Sequence, residues 1–462
     1  MEVLWLPISL FGKHVITGLP DYFQTIPMLF FVVYLTYLFV RKKQSFKFSF
    51  SSGILLFLLI VLLAQGFATM RTILTFPITG IGVFDKYFQF IYLLLYFVII
   101  YLVLKNNLTE DGKIRKFLNG FFFYGVLIVC LLTIQFVFIH TGALKAVIQF
   151  IGATFAQGGY SESINPAYLE STVSYLTKYG KPNGLDPEGR DVAIRLSLIV
   201  VPFLLAALKN GYRMVKNKKN ESLYLSLLCS IFIMLLAIQT LFSILLGLLT
   251  ALLTVFIVVL KKTNSKNTFH KEGAIFVGFI GFVFTVFSFF PKGISQLGDS
   301  NRTASAIALW RVFSHHFIIG VGYDFSSPYA ILYAPAEHTN SVINVQIYLA
   351  NDQMPALSTG LAWFSQFGLI VILPLFFYVI RTKLDFSILI DRMYEAKLAK
   401  EKIKLYQTVD DLFFFLLIFL LPASFLLFDW RGLSYVLVLF FILVVKNFLE
   451  KQLNVLAPLK EI

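Results

Sequence analysis

The chain has 462 residues, of which 58% are hydrophobic and 14% charged, with a net charge of +14 and a mean hydropathy of +0.79. Globular proteins carry about 25% charged residues, so this composition cannot clothe a water-soluble fold, and a soluble enzyme is excluded. Apolar runs of about 20 residues, each long enough to cross roughly 30 Å of hydrocarbon, recur instead, and residues 1–462 read as a single integral membrane domain.

Residues 1–20 are apolar but interrupted by Pro7, Gly12, Lys13 and His14, and fit an interfacial helix, a re-entrant hairpin partner or a short extra span. No basic residue precedes Lys13, unlike the charged start of a cleavable signal peptide, so this segment is expected to be retained. Spans follow near 22–40, 52–69, 86–104, 118–139, 192–208, 222–239, 242–260, 274–290, 357–380, 412–428 and 433–446. The stretch 222–260 is too long for one helix and is expected to turn near Gln239, Thr240 and Ser243. The expected fold is all-α and polytopic, with about eleven or twelve transmembrane helices and two long outer loops, 141–191 and 291–356, bearing short amphipathic helices. Segment 381–411 carries Arg392, Glu395, Lys397 and Glu401 at helical spacings and reads as a cytoplasmic connector helix.

With Arg41, Lys42 and Lys43 in the cytoplasm and each later span crossing once, more than two thirds of the 39 bases fall inside, in keeping with the positive-inside rule. The positive charge therefore reports topology: the expected partner is the lipid bilayer and not a nucleic acid. Cys130 and Cys229 both lie in apolar runs, which supports neither a disulfide framework nor a thiolate metal site.

The two cations divide differently across the membrane. Few of the lysines are outside (Lys13, Lys86, Lys145, Lys178, Lys181 and Lys292), but more than half of the arginines are: Arg71, Arg190, Arg195, Arg302, Arg311 and Arg431. Orientation alone acts on both types equally. Planar, bidentate binding of phosphate gives arginine a reason to be retained; snorkelling or pairing with outer acids is the competing account.

Loops beyond about 15 residues are usually functional or disordered, and these two are rich in aromatics. The first carries Tyr160, Tyr168, Tyr175 and Tyr179; the second carries Trp310, Phe313, Phe317, Tyr323, Tyr329 and Tyr333, with an amphipathic run from Ala304 to Phe317. Aromatic faces beside polar groups suit a sugar ring, and an aromatic belt at headgroup level explains them equally well. His338, in the polar run Glu337 to Ser341, is the favoured general base. His315 and His316 follow Arg311, where one can face headgroups. No zinc-type His motif, cysteine pair or glycine-rich phosphate loop occurs, so no metal and no cofactor is expected, and an outer-face reaction needs an activated donor already in the membrane.

The run from Asn301-Arg302 through Trp310-Arg311 to Gly320-Val321-Gly322-Tyr323-Asp324-Phe325 resembles the second long outer loop of the O-antigen polymerase and ligase family, the Wzy-type integral membrane glycosyltransferases. Glu337-His338-Thr339-Asn340, followed by Trp363 to Gly368, is similar to that loop's His-Asn segment and the helix start after it. Lys181-Pro182-Asn183-Gly184 through Arg190 looks like the family's stretch closing the first long loop, with Lys181 where the family more often has Arg and Glu188 where it more often has Asn.

The resemblance implies a polymerase of lipid-linked oligosaccharide repeat units on the outer face of the bacterial cytoplasmic membrane, building a surface polysaccharide such as O-antigen or capsule. Donor and acceptor are both carried on undecaprenyl pyrophosphate, and a chain-length regulator is a compatible further partner. The expected reaction is a metal-independent, inverting glycosyl transfer. Arg311 would stabilise the leaving pyrophosphate with Arg190, Arg195, Arg302, Arg71 and Lys181, and His338 would take the acceptor proton, while Trp310, Tyr323 and Asn340 would hold sugar. A ligase of the same fold, or a flippase for the same lipid-linked sugar, is the alternative; short loops and repeated halves would have favoured the flippase.

Overall fold

The computed structural model describes residues 2–11, 20–42, 52–75, 82–155, 172–214, 220–262, 300–334, 356–426 and 429–456. These residues form helices and turns without a strand. In chain order the helices are α1 (Trp5–Ile8), α2 (Ile26–Lys42), α3 (Ser52–Thr75), α4 (Val83–Asn107), α5 (Asp111–Thr141), α6 (Lys145–Phe155) and α7 (Thr172–Tyr179). Then come α8 (Gly189–Asn210), α9 (Glu221–Ala237), α10 (Leu241–Lys262), α11 (Ser300–His315), α12 (Ser326–Leu332), α13 (Thr359–Glu395), α14 (Lys400–Ala423) and α15 (Leu433–Leu456).

Eight of these are long and apolar enough to cross a membrane, and α2 and α9 are shorter apolar helices. The chain is an all-α, multi-pass membrane protein. Every expected span has its helix except 274–290, which lies outside the described residues. The break between 222–239 and 242–260 falls where expected: Ile238, Gln239 and Thr240 turn the chain, and Ser243 N–H donates to Thr240 Oγ1 at 3.1 Å.

α8 is the central helix. From Val192 to Leu208 every side chain is buried, because the helix is apolar on every face apart from Arg195 and Ser197 and is enclosed by α5, α9, α10 and α14. A π-helical turn, Leu196–Val200, lies within it.

Helix ends gather on two sides. On one side, which we call the lysine side, four lysines meet carboxylates from other helices: Lys209 with Asp411 at 2.7 Å, Lys383 with Asp410 at 2.8 Å, Lys402 with Asp111 at 3.1 Å and Lys446 with Asp385 at 3.2 Å. The other, the loop side, carries α11, α12 and the tract 180–188.

One expectation needs correction. Segment 381–411 is not a connector helix of its own: residues up to Glu395 prolong α13, residues from Lys400 begin α14, and Lys397 at φ 52° turns the chain between them. Its amphipathic spacing belongs to the ends of two long helices. Of the N-terminal segment, for which the sequence leaves three readings open, the described residues 2–11 are seated in the bundle, with Trp5 1% exposed and edge-on to Phe31 and Phe117. A Cβ at Gly120 of α5 would stand 2.8 Å from the Val3 carbonyl oxygen, so that glycine permits the close approach.

Candidate functional site

The loop side is organised by a break in α13. Gly368 takes φ 61° and ψ −178°, an extended left-handed conformation essentially open to glycine alone. An interrupted helix leaves carbonyls unpaired before the break and N–H groups unpaired after it. Residues 317–322 supply both partners. Val321 N–H donates to Ser365 O at 2.8 Å and Gly322 N–H to Gln366 O at 3.1 Å, while Leu369 and Ile370 N–H donate to Phe317 O and Ile318 O at 2.7 and 3.0 Å. This strap passes so close to α13 that a Cβ on Gly320 would overlap the Gln366 backbone. Gly320 and Gly322 have φ of 78° and 102°.

The strap in turn docks onto the last turns of α3. Arg71 Nη2 donates to Gly320 O, and Thr72 Oγ1 donates to Val321 O at 3.0 Å. Tyr329 of α12 sits against the same turn, its hydroxyl 3.3 Å from Thr72 Oγ1. His316 lies at the start of the strap, its ring edge-on to Tyr329 at 5.3 Å and to Tyr333 at 6.3 Å. Burial, then the positive charge of Arg71, then His315 push the His316 imidazole down to about 4, so it is neutral at physiological pH. His315 Nδ1 lies 2.9 Å from Arg311 O, its ring tilts over Tyr333 at 4.8 Å, and Arg311 Nη1 donates to Tyr333 O at 3.4 Å.

Arg71, Arg311 and His316 thus share one set of neighbours drawn from α3, α11, α12 and the strap. Two of their nitrogens, Arg71 Nε and His316 Nε2, are buried without a hydrogen-bond partner. Neither guanidinium meets a carboxylate among the described residues. A hydroxyl group has the right chemistry for such a pair, since it accepts from a guanidinium N–H and donates to a neutral imidazole nitrogen.

The other outer arginines with described side chains, Arg190 and Arg195 of the expected pyrophosphate set and Arg431 beside them, are already engaged. Arg195, 8% exposed, grips Asp186 with Nη2 at 2.5 Å and Nε at 3.1 Å, and its Nη1 reaches Ser434 Oγ at 3.2 Å. Arg190 is held between Glu188 at 3.2 Å and Asp191 at 3.6 Å. Arg431 donates to Asp429 at 3.2 Å and to the Tyr323 hydroxyl at 2.9 Å. For these three the competing account, pairing with acids of the same side, describes the geometry, and they do not join Arg71 and Arg311. Lys181 opens the tract 181–190, half-buried and without an ion pair among the described residues. That tract is anchored by Gln135 of α5, whose Oε1 accepts from the N–H groups of Asn183 and Gly184 and whose Nε2 donates to Gly184 O at 2.7 Å.

The expected sugar-stacking residues divide as well. Tyr323 is 4% exposed, its ring covered by Phe90 at 5.5 Å and Phe367 at 6.5 Å, so it has no free face for a sugar. Burial also pushes its phenol above the ordinary value. Trp310 is 56% exposed and leans on Phe313, which meets Phe364 at 5.4 Å. Arg302 falls in the first turn of α11, with its side chain outside the described residues; His338 and Asn340 lie outside them altogether. His316 and the strap are what the sequence did not single out. The Gly320-Val321-Gly322 turn was its signal, once paired with the isolated Gly368.

Among the described residues no group of three or more His, Cys, Asp or Glu side chains is placed to hold a metal ion. No family model, no curated protein and no solved structure matches this chain.

Proposed function

We propose that the protein is a membrane glycosyltransferase that polymerises oligosaccharide repeat units carried on undecaprenyl pyrophosphate, with its site on the loop side facing out of the cell. One observation carries the reading. Among the described residues two loop-side guanidinium groups meet no carboxylate, Arg71, whose charge acts on an imidazole held neutral, and Arg311, which bonds the Tyr333 carbonyl beside that imidazole, while every other described loop-side arginine is neutralised or bonded within the bundle. Fixed guanidinium groups in a water-poor site stabilise the charge that develops on a leaving diphosphate.

In this mechanism Arg311, the exposed member, receives the diphosphate, and Arg71 supports it from the wall. The acceptor hydroxyl sits between Arg71 Nε–H and His316 Nε2. Its oxygen attacks the anomeric carbon, its proton passes to His316, and the bond from the anomeric carbon to the diphosphate breaks with its electron pair leaving on oxygen. A single displacement inverts the anomeric centre. His338 is the rival base, from the same loop.

The test is reconstitution with purified lipid-linked repeat units, scoring glycan ladders and carrier diphosphate release for wild type, Arg71→Gln, Arg311→Gln, His316→Gln and His338→Gln. A ladder from wild type, lost in both arginine variants and in His316→Gln, is the expected result. Loss in His338→Gln with normal turnover in His316→Gln would transfer the base to His338. Transfer to a lipid A core in place of a growing chain would make the enzyme a ligase, and no release of carrier diphosphate with either acceptor would overturn the reading.

A further inference from the structure

A second site lies on the lysine side, far along the helices from the strap. The ends of three bundle helices, the start of α5, the end of α8 and the start of α14, leave a pocket of about 220 Å³ between them. Its wall carries Arg115, Arg213, Lys400 and Lys404 with one acid, Glu401, and a second acid, Glu221, stands beside Lys404 at Gly211. Like charges gathered around a cavity repel one another unless something anionic is bound there.

The pocket is built rather than incidental. α8 ends at Gly211, whose φ of 58° turns the chain and whose bare Cα lets Glu221 Oε1 and Lys404 Nζ approach to 3.4 and 3.6 Å of where a Cβ would stand. Tyr212 follows, 2% exposed, with its one hydroxyl hydrogen shared between Asn119 Oδ1 at 3.0 Å and Arg115 O at 3.2 Å. That fixes the floor. Arg115 lies over the Tyr212 ring, 5.8 Å from its centre, and Nη1 donates to Arg213 O at 2.9 Å. One edge of this guanidinium is thereby oriented while its charge is left unneutralised. Among the described residues neither Arg115, Arg213 nor Lys400 meets a carboxylate. This contrasts with Lys209, Lys383, Lys402 and Lys446 on the same side, each of which has one.

We infer that this pocket binds a phosphate group, presented by an anionic phospholipid at the membrane surface or by a soluble phosphate. Arginine favours phosphate through parallel N–H donors. The volume is below the roughly 300–1,000 Å³ of sites for drug-sized ligands, which fits a headgroup or a single phosphate and leaves too little room for a nucleotide. The wall residues stand where α5, α8 and α14 end their apolar spans, which is headgroup level for a bilayer around them. The inference does not depend on the glycosyltransferase reading, because none of these residues belongs to that site.

The experiment measures the thermal midpoint of the full chain in neutral detergent during titration with phosphatidylglycerol, phosphatidylcholine or inorganic phosphate. Wild type is compared with Arg213→Gln, Lys400→Gln and the double variant, all changes at partly or fully exposed side chains that leave the Tyr212 anchor intact. A saturable rise with phosphatidylglycerol and none with phosphatidylcholine supports the headgroup source. A saturable rise with inorganic phosphate supports the soluble one. Either way half-saturation should shift about fivefold for each charge removed, and salt should weaken it. Equal responses in wild type and the double variant, equal responses to both lipids, or no response to any ligand would overturn the inference.

Discussion

Replacing Gly368 by alanine tests whether the strap is part of the fold's stability or rests on it passively. Two routes are open to the variant. If the break keeps its shape, alanine must hold φ 61° and ψ −178°, at about 1–3 kcal/mol for a conformation nearly restricted to glycine. The new Cβ would also stand 2.5 Å from Gly320 N and Ile318 O, which are backbone atoms and cannot rotate aside. If instead the strap leaves, the hydrogen bonds of Val321, Gly322, Leu369 and Ile370 go with it, at about 1 kcal/mol net for each. Both routes converge on a loss of about 3–4 kcal/mol, a large share of the roughly 5–15 kcal/mol that holds a domain together. The assay is unfolding in mixed micelles titrated with a denaturing detergent, with Gly53→Ala as control. Gly53 has nothing within 4 Å of its Cβ position, so alanine there should be neutral or add up to about 1 kcal/mol of helix propensity. A Gly368→Ala protein within about 0.5 kcal/mol of wild type, the range of ordinary surface changes, would refute the role given to the strap.

Arg195→Met leaves the Asp186 carboxylate buried without its partner and should cost about 3–5 kcal/mol; the double change Arg195→Met, Asp186→Leu should recover most of it in the same unfolding assay. Arg190→Met should cost less than Arg195→Met, because one of its partners, Glu188, is largely solvated and the other, Asp191, meets it at 3.6 Å rather than through a close bidentate grip. Gln135→Leu removes the acceptor of the Asn183 and Gly184 N–H groups, about 1–3 kcal/mol for each donor stranded, and limited proteolysis should then cut within 180–188. For His316, between pH 6.5 and about 4 the unfolded chain takes up a proton that the folded site refuses, so stability should fall as the pH drops through that window and level off below it. His316→Gln should flatten the slope of thermal midpoint against pH; an unchanged slope would remove the buried neutral imidazole from the account.

The spans were legible because a run that must cross hydrocarbon has to be apolar along its whole length, a constraint on every residue in it. The tract 381–411 was not, since the same amphipathic spacing serves a helix lying on the surface and one projecting straight out of its span, and only the left-handed Lys397 tells them apart. The break at Gly368 escaped for a different reason. One glycine in an apolar run is ordinary in a membrane helix, and the segment that fills the gap, 317–322, lies too far away in the chain for any local pattern to connect the two. The arginines show the same limit. Their side of the membrane followed from charge counting, but which carboxylate each would meet depended on contacts such as Arg195 with Asp186 across the start of α8. Counting excess guanidinium groups therefore overestimated the number free to hold an anion.

That reduction sharpens the proposed chemistry. A diphosphate met by all five expected guanidinium groups and Lys181 would be bound tightly as substrate and product alike, and uniform binding of that kind lowers KM without raising kcat. Two groups without a carboxylate among the described residues, one exposed and one tied through Gly320 to a strap that bridges α3 and α13, leave room for an interaction that strengthens as charge builds on the leaving oxygen. The strap joins the helices that carry them: α11 enters it through His316, and α3 holds it through Arg71 and Thr72. The interruption of α13 is then the feature that fixes the site's dimensions. On this account Gly368→Ala should depress turnover in whatever fraction of the protein remains folded, whereas Arg195→Met should lower only the amount of folded protein and leave the turnover of the survivors unchanged.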